Sequence, residues 1–281
     1  KIAEGCDKHC TYCIIPKVRG NYRSVPMESL LQEAETLAEQ GVKELILVAQ
    51  ETTLYGKDLY GEKSLHKLLK ELCKIKGIRW IRILYCYPEE IYPELIQVMK
   101  EEKKVCHYLD LPIQHANDTI LRRMGRRTTK AELLDIIGTL RKEIPDIVLR
   151  TTLITGFPGE TEEDFEETMD VVRKVRYDSA FTFIYSKRTG TPAASMEEQV
   201  PEDVIKARFD RLLKEVQKIS AEKAGALTGQ TLPVLIEEQN EQDASLVTGR
   251  LSNNSVVHLP GTADMIGKIL DVKLTECRGF Y

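Results

Sequence analysis

Along the first four-fifths of the chain, short apolar runs rich in β-branched residues alternate with stretches of helical period. Alternation of that kind marks repeated βα units around a parallel sheet. Six runs read as strands: residues 2–4, 44–48, 80–84, 107–111, 147–154 and 180–185. Between them, residues 27–39 place Leu30, Leu31, Ala34, Leu37 and Ala38 on one helical face and the acids on the other, and Gly41 stands where a left-handed residue ends such a helix. Thr161 followed by Glu162, Glu163 and Asp164 reads as a cap and an acidic first turn for a helix to about Arg176. Pro201 suits the first turn of a long helix running to Ala224. Beyond Ala226 the texture changes to strand-like runs at 232–236, 245–251, 255–259 and 268–275, with Gly and Asn between them. The expectation is therefore α/β: an open, partial (β/α)6 TIM-like barrel over 1–225, then a small antiparallel β-barrel over 226–281. Six βα units are too few to close an eight-stranded barrel, and function in such folds gathers just after the strands.

Composition narrows the class. The 281 residues are 42% hydrophobic and 30% charged, enough for a substantial core, and 40 Lys and Arg against 44 Asp and Glu give a net charge of -4. A polycation that binds nucleic acid by bulk charge is disfavoured. No apolar run reaches the ~20 residues of a membrane span and no secretory segment opens the chain, which reads as soluble and cytoplasmic. The chain starts at Lys1 and meets its first motif within five residues, so it is expected to be a fragment without its N-terminal portion.

The cysteines change the picture most. There are seven, with Cys6, Cys10 and Cys13 crowded together and Cys73, Cys86, Cys106 and Cys277 scattered, which is no disulfide framework. Cys-x3-Cys-x2-Cys, placed directly after the first strand, lets one loop offer three soft thiolates to a 4Fe-4S cluster while leaving one iron open. A structural zinc site completed by His9 or a distant cysteine is the alternative, although no second ligand pair is present.

After the strand at 147–154, residues 155–161 form a glycine-bearing turn at a helix start, where backbone N–H groups suit an anionic or polar ligand. Arg150, Thr152, Gly156, Pro158 and Gly159 are cofactor candidates there, and Tyr12, Gln50, Thr52 and Gln114 complete the expected set from the other post-strand segments. Loop-capping hydrogen bonds are the plainer role for Gln50 and Gln114, and His115 reads equally as a structural histidine. Basic residues cluster at Lys17, Arg19 and Arg23 and again at Arg122, Arg123, Arg126 and Arg127, flanking the expected mouth. Such runs are most often solvated faces, and at the mouth a polyanion or a carboxylate would also suit them.

With an aromatic, Tyr12, before the last cysteine, the cysteine motif resembles the signature of the radical S-adenosylmethionine (SAM) superfamily. Residues 4–16, Arg19 and Gly20, 50–53, 109–115, 124–126 and 155–161 together resemble its methylthiotransferase branch, and the end of the chain resembles a TRAM domain. The resemblance implies Cys6, Cys10 and Cys13 as cluster ligands, SAM as cosubstrate, a 5'-deoxyadenosyl radical, and a reductant protein such as flavodoxin or ferredoxin. It also implies a second 4Fe-4S cluster on an N-terminal domain that this sequence does not include, so SAM cleavage without complete methylthiolation is expected of this chain.

Within the branch, one type acts on an isopentenyl-adenosine in tRNA and another on the β-carbon of an aspartate in ribosomal protein S-twelve. The wording of 110–115 and 50–56 resembles the protein-modifying type. From Thr228 to Tyr281 there are seven acids and four bases, net -3, which suits a basic protein partner better than RNA. A non-catalytic iron-sulfur or zinc module is the reading from another class.

Overall fold

The computed structural model describes residues 1–279. Five strands, β3 (Glu44–Leu47), β4 (Trp80–Ile83), β5 (Val105–Asp110), β6 (Val148–Thr155) and β7 (Ser179–Ile184), form one sheet in that order, every neighbouring pair parallel. The first predicted strand is shorter than its neighbours. β1 (Ala3–Glu4) pairs antiparallel with β2 (Arg23–Ser24) and reaches the sheet edge through the Ile2 N–H, which donates to Val48 O at 2.9 Å. The predicted boundaries of the other five strands lie within two residues of those observed.

Helices α2 (Met27–Glu39), α4 (Leu65–Lys74), α5 (Pro93–Glu101), α7 (Lys130–Glu143) and α8 (Glu162–Val175) pack one against the next along the outer face, with α1 (Ile15–Arg19), α3 (Lys57–Tyr60) and α6 (Asp118–Arg123) as short insertions in the loops. The main core lies between that layer and the sheet, where Leu45, Ile81, Ile83, Leu109, Leu149 and Leu153 meet Leu68, Leu72, Leu95, Met99, Leu140 and Val172. Side chains alternate along β6: Leu149, Thr151, Leu153 and Thr155 are buried, whereas Val148, Arg150, Thr152 and Ile154 are half-buried. The sheet ends at β7, against which α9 packs, and Phe181 and Phe183 of β7 are half exposed.

α9 (Glu202–Gly225) follows β7 and leads into four antiparallel strands, β8 (Thr231–Gln239), β9 (Leu246–Leu251), β10 (Val256–Pro260) and β11 (Ile269–Lys273), ordered β10-β9-β8-β11. Their core is Val234, Ile236, Val247 and Leu251. Leu235 and Ile269 also pack on Trp80, Cys106 and Tyr108 of the parallel sheet. Among the described residues no helix is long and apolar enough to cross a membrane.

Candidate active site

Parallel strands deliver all their following loops to one edge of the sheet, and here those loops meet. The cysteine loop after β1 is pinned from three sides. Gly5, at φ +81°, passes so close to Asn21 that a Cβ would lie 2.1 Å from its carbonyl oxygen, and its N–H donates to Gln50 Oε1 at 2.8 Å. The Cys6 N–H donates to Gly20 O at 3.1 Å. Thr11 donates from N to Met124 O (2.9 Å) and from Oγ1 to Arg123 O (2.7 Å), and its own carbonyl accepts from Ala193 N at 2.9 Å.

Cys6 and Cys10 are buried and Cys13 is half-buried, all as free thiols. Burial pushes the Cys6 thiol up to about 11 and raises Cys13 as well, with the neighbouring thiols adding to both. Cys6 and Cys13 thus resist ionising unless a cationic group takes up the charge. Among the described residues no three His, Cys, Asp or Glu side chains gather closely enough to hold a single metal ion. A lone zinc would need such a gathering.

Beside this loop stands Arg126, buried at 5% exposure. Its Nη2 donates to Pro112 O (3.1 Å) and Glu89 Oε2 (3.3 Å), and its guanidinium lies 4.2 Å over the Tyr87 ring. Its Nε and Nη1 have no partner among the described residues. The Tyr87 hydroxyl is 3.6 Å from Cys10 Sγ, and Lys8 approaches the same ring at 5.1 Å. The basic run at 122–127 was visible in the sequence, but the burial that singles out Arg126 was not. Tyr87 had no signal beyond its place just after a strand.

Gln114 and the 156–160 turn supply the opposite wall. Gln114 is held at φ +68°, an uncommon conformation for a residue with a side chain. Its backbone bonds Thr152 O and Ile154 N (2.9 and 2.8 Å), while its side-chain Oε1 is buried and unpartnered among the described residues. Thr155 Oγ1 is in the same state. Gly156 and Gly159 take φ of +79° and +81°, Pro158 is buried between them, and α8 starts on the reciprocal cap of Thr161 with Asp164. Tyr12 joins the two walls by packing with Met124 and Phe157.

Two of the expected cofactor residues also engage the protein's own groups. Gln50 engages Gly5 as described. Thr52 is fully buried and its hydroxyl is engaged by Leu84 O (2.8 Å), Tyr85 O (3.1 Å) and Cys86 Sγ (3.3 Å), which leaves nothing for a ligand. Arg150 lies on the sheet's open face, paired with Asp110 (3.1 Å) and stacked 4.7 Å over Phe181. Glu51 belongs to the same post-strand segment as Gln50 and Thr52. It is fully buried, one oxygen accepts from Thr53 N (2.9 Å) and the Thr53 hydroxyl, and the other has no partner among the described residues.

Comparison with known proteins places these features in company. Residues 1–172 match the family described as the radical SAM superfamily, and residues 225–281 match the TRAM domain. A ribosomal protein uS12 methylthiotransferase RimO of Lachnoclostridium phytofermentans is 55% identical over all of this chain and 65% of its own length. One from Desulfitobacterium hafniense is 50% identical over all of this chain and 64% of its own. A tRNA-2-methylthio-N(6)-dimethylallyladenosine synthase of L. phytofermentans is 47% identical over all of this chain and 61% of its own. The chain thus spans a little under two thirds of the length of these curated relatives. Among solved structures, coproporphyrinogen III oxidase (HemN) from Escherichia coli, a radical SAM enzyme, superposes with TM-score 0.57 at 15% identity, covering 92% of this chain and 70% of that one. The radical SAM methyltransferase TsrM from Kitasatospora setae gives 0.57 at 18%, covering 69% and 37%. These two speak for the fold.

Proposed function

The chain belongs to the radical SAM superfamily, and on that premise we propose that it is a methylthiotransferase that adds a methylthio group to the β-carbon of an aspartate in ribosomal protein uS12. In this reading Cys6, Cys10 and Cys13 hold a 4Fe-4S cluster. The fit is chemical: three soft sulfur donors on one pinned loop, two of them buried, where thiolate is the ligand an iron-sulfur cluster requires. A cluster held by these three cysteines would supply the electron for reductive cleavage of SAM, the chemistry from which a 5'-deoxyadenosyl radical able to take hydrogen from the aspartate would arise.

The protein's own part is binding, orientation and exclusion of water. Arg126 receives the SAM carboxylate through Nε and Nη1, aimed by Pro112 O, Glu89 and the Tyr87 ring. Gln114, Thr152 and the turn at Gly156, Pro158 and Gly159 receive the adenosine side, with Tyr12 and Phe157 packed behind. Arg126 carries this reading: a buried guanidinium with two unpartnered nitrogens is costly unless an anion completes it.

Two observations favour a protein substrate. Relatives from one organism differ, 55% identity to the uS12 enzyme against 47% to the tRNA enzyme over the same chain. The region from Thr228 on carries net charge -3, complementary to a basic ribosomal protein. We take 1–225 as the catalytic part and 226–281, of which 280 and 281 lie outside the described residues, as the substrate-gripping part. Reduced flavodoxin or ferredoxin is the electron donor in this scheme.

Anaerobic reconstitution with iron and sulfide, then a dithionite-driven assay for 5'-deoxyadenosine, tests the chemistry. About four irons per chain and product that vanishes when Cys6, Cys10 and Cys13 are all changed to Ala are expected. Zinc in place of iron, or a loaded chain that leaves SAM intact, overturns it. Binding to uS12 and to tRNA across a salt series separates the substrates, since RNA affinity falls steeply with salt.

A further inference from the structure

The 156–160 turn is not supported by its own βα unit alone. Its backing comes from α9, the helix that carries the C-terminal sheet. A Cβ on Gly156 would lie 2.6 Å from Ile205 Cγ1, so the glycine backbone rests directly on that side chain. One turn further along α9, Arg208 is 6% exposed and donates from Nη1 to both Glu160 O and Glu160 Oε1, each at 3.0 Å. Its Nε donates to Glu162 Oε2 at 3.0 Å.

Glu160 is the junction. Its side chain is wholly buried. Oε2 accepts from Gly156 N at 3.0 Å and lies 3.3 Å from His115 Nε2. His115 Nδ1 accepts from Asn117 N at 3.0 Å, and its buried Nε2, without a hydrogen-bond partner among the described residues, is the ring atom that lies near the carboxylate. One carboxylate therefore ties the glycine amide of the turn to a cation on α9, beside the histidine after Gln114. The other α8–α9 pairs, Arg211 with Glu162 and Glu166, Arg173 with Glu215, and Arg176 with Glu222, are largely solvent-exposed. Exposed pairs of that kind fix little. Arg208 differs by its burial: without it the Glu160 carboxylate, which accepts from Gly156 N, is left buried without its arginine partner.

We propose that Arg208 and Ile205 are positioning residues for SAM: α9 sets the 156–160 turn, and occupancy of the turn is coupled through Glu160 to the helix that carries the TRAM-matching region. The proposal rests on the reading of that turn as part of the SAM site. Coupling is reciprocal, so a ligand at the turn also steadies α9.

The test uses the reconstituted chain and S-adenosylhomocysteine as the probe, titrated by calorimetry. Arg208→Gln is expected to bind roughly tenfold more weakly, Arg208→Lys to recover part of that loss, and Arg211→Gln, one turn away in the exposed seam, to bind as the unmutated chain does. The KM for SAM rises in Arg208→Gln while kcat for 5'-deoxyadenosine holds. Hydrogen exchange adds a readout independent of turnover: ligand slows exchange at 156–160 and at 202–212 together in the unmutated chain, and at 202–212 no longer in Arg208→Gln. If Arg208→Gln does not fold, Ile205→Ala takes its place with the same expected loss of affinity. Unchanged probe affinity in the folded variant overturns this proposal alone. Absence of binding by the unmutated chain overturns the site reading, and this proposal with it.

Discussion

Glu51 has no contact with water, and burial pushes its carboxyl up to about 7 from the ordinary 4.5, against the opposing hydrogen bonds from Thr53 and the charge of Lys8. The folded chain then holds the proton more firmly than the unfolded one. The stability this contributes is fully present below about 4.5 and is lost as pH rises through about 7. At roughly 1.4 kcal/mol per pH unit of displacement, the loss is on the order of 3 kcal/mol. Glu51→Gln retains the carbonyl oxygen that accepts from Thr53 and removes the titration. Urea denaturation of both proteins between pH 5 and pH 8 is expected to show the unmutated chain losing stability relative to the variant as pH rises. Parallel curves would contradict the assignment. Arg126 and Glu51 make the same general point from opposite charges: at this site the polar atoms left unsatisfied are those a ligand or a proton must complete.

At the scale of elements, the end of α6 and the cysteine loop solve one problem together. A helix leaves its last carbonyls without partners. Those of Arg123 and Met124 accept from Thr11 Oγ1 and Thr11 N, so the loop caps the helix while the helix fixes the loop. The chain escapes at Gly125, φ +74°, where a Cβ would sit 2.8 Å from His9 O. Gly125→Ala is expected to cost about 1 to 3 kcal/mol and to lower the iron retained after reconstitution. Thr161→Ala, which removes one arm of the α8 cap, is expected to cost about 1 kcal/mol with iron content unchanged. Thermal unfolding and iron assay of the two variants side by side separate strain in the loop from ordinary helix weakening. The α8 cap was legible in the sequence because its partners are three residues apart. The Gly125 contact was not, because His9 is far away along the chain.

For the whole molecule, the contact that joins the two sheets is centred on Arg82. It is wholly buried, paired at 2.7 Å with Glu44, and donates to Ser252 O (2.7 Å) and Leu251 O (3.3 Å) at the end of β9. Tyr108 stacks on it at 5.1 Å, and Trp80, Cys106 and Leu235 surround the seam. Arg82→Met leaves Glu44 buried and alone, an expected loss of about 3 to 5 kcal/mol, whereas the double change Arg82→Met with Glu44→Met restores most of it. Denaturation curves together with the rate at which trypsin separates the C-terminal sheet would measure this. Equal stability of the single and double variants would count against the pair.

The sequence by itself determined what depends on near neighbours. The alternation of apolar runs and helical periods specified a parallel α/β barrel left open and an antiparallel region after residue 226, and the spacing of Cys6, Cys10 and Cys13 placed three thiols on one loop. The tertiary structure alone decided the pairings across long separations: Arg126 with Glu89, Thr11 with Arg123, Arg82 with Leu251, and Arg208 with Glu160, which are 37, 112, 169 and 48 residues apart. Periodicity reports which face of an element is apolar, since each face repeats within a few residues. Burial of a particular charge, and hence its chemistry, depends on which distant loops the sheet order brings to the same edge.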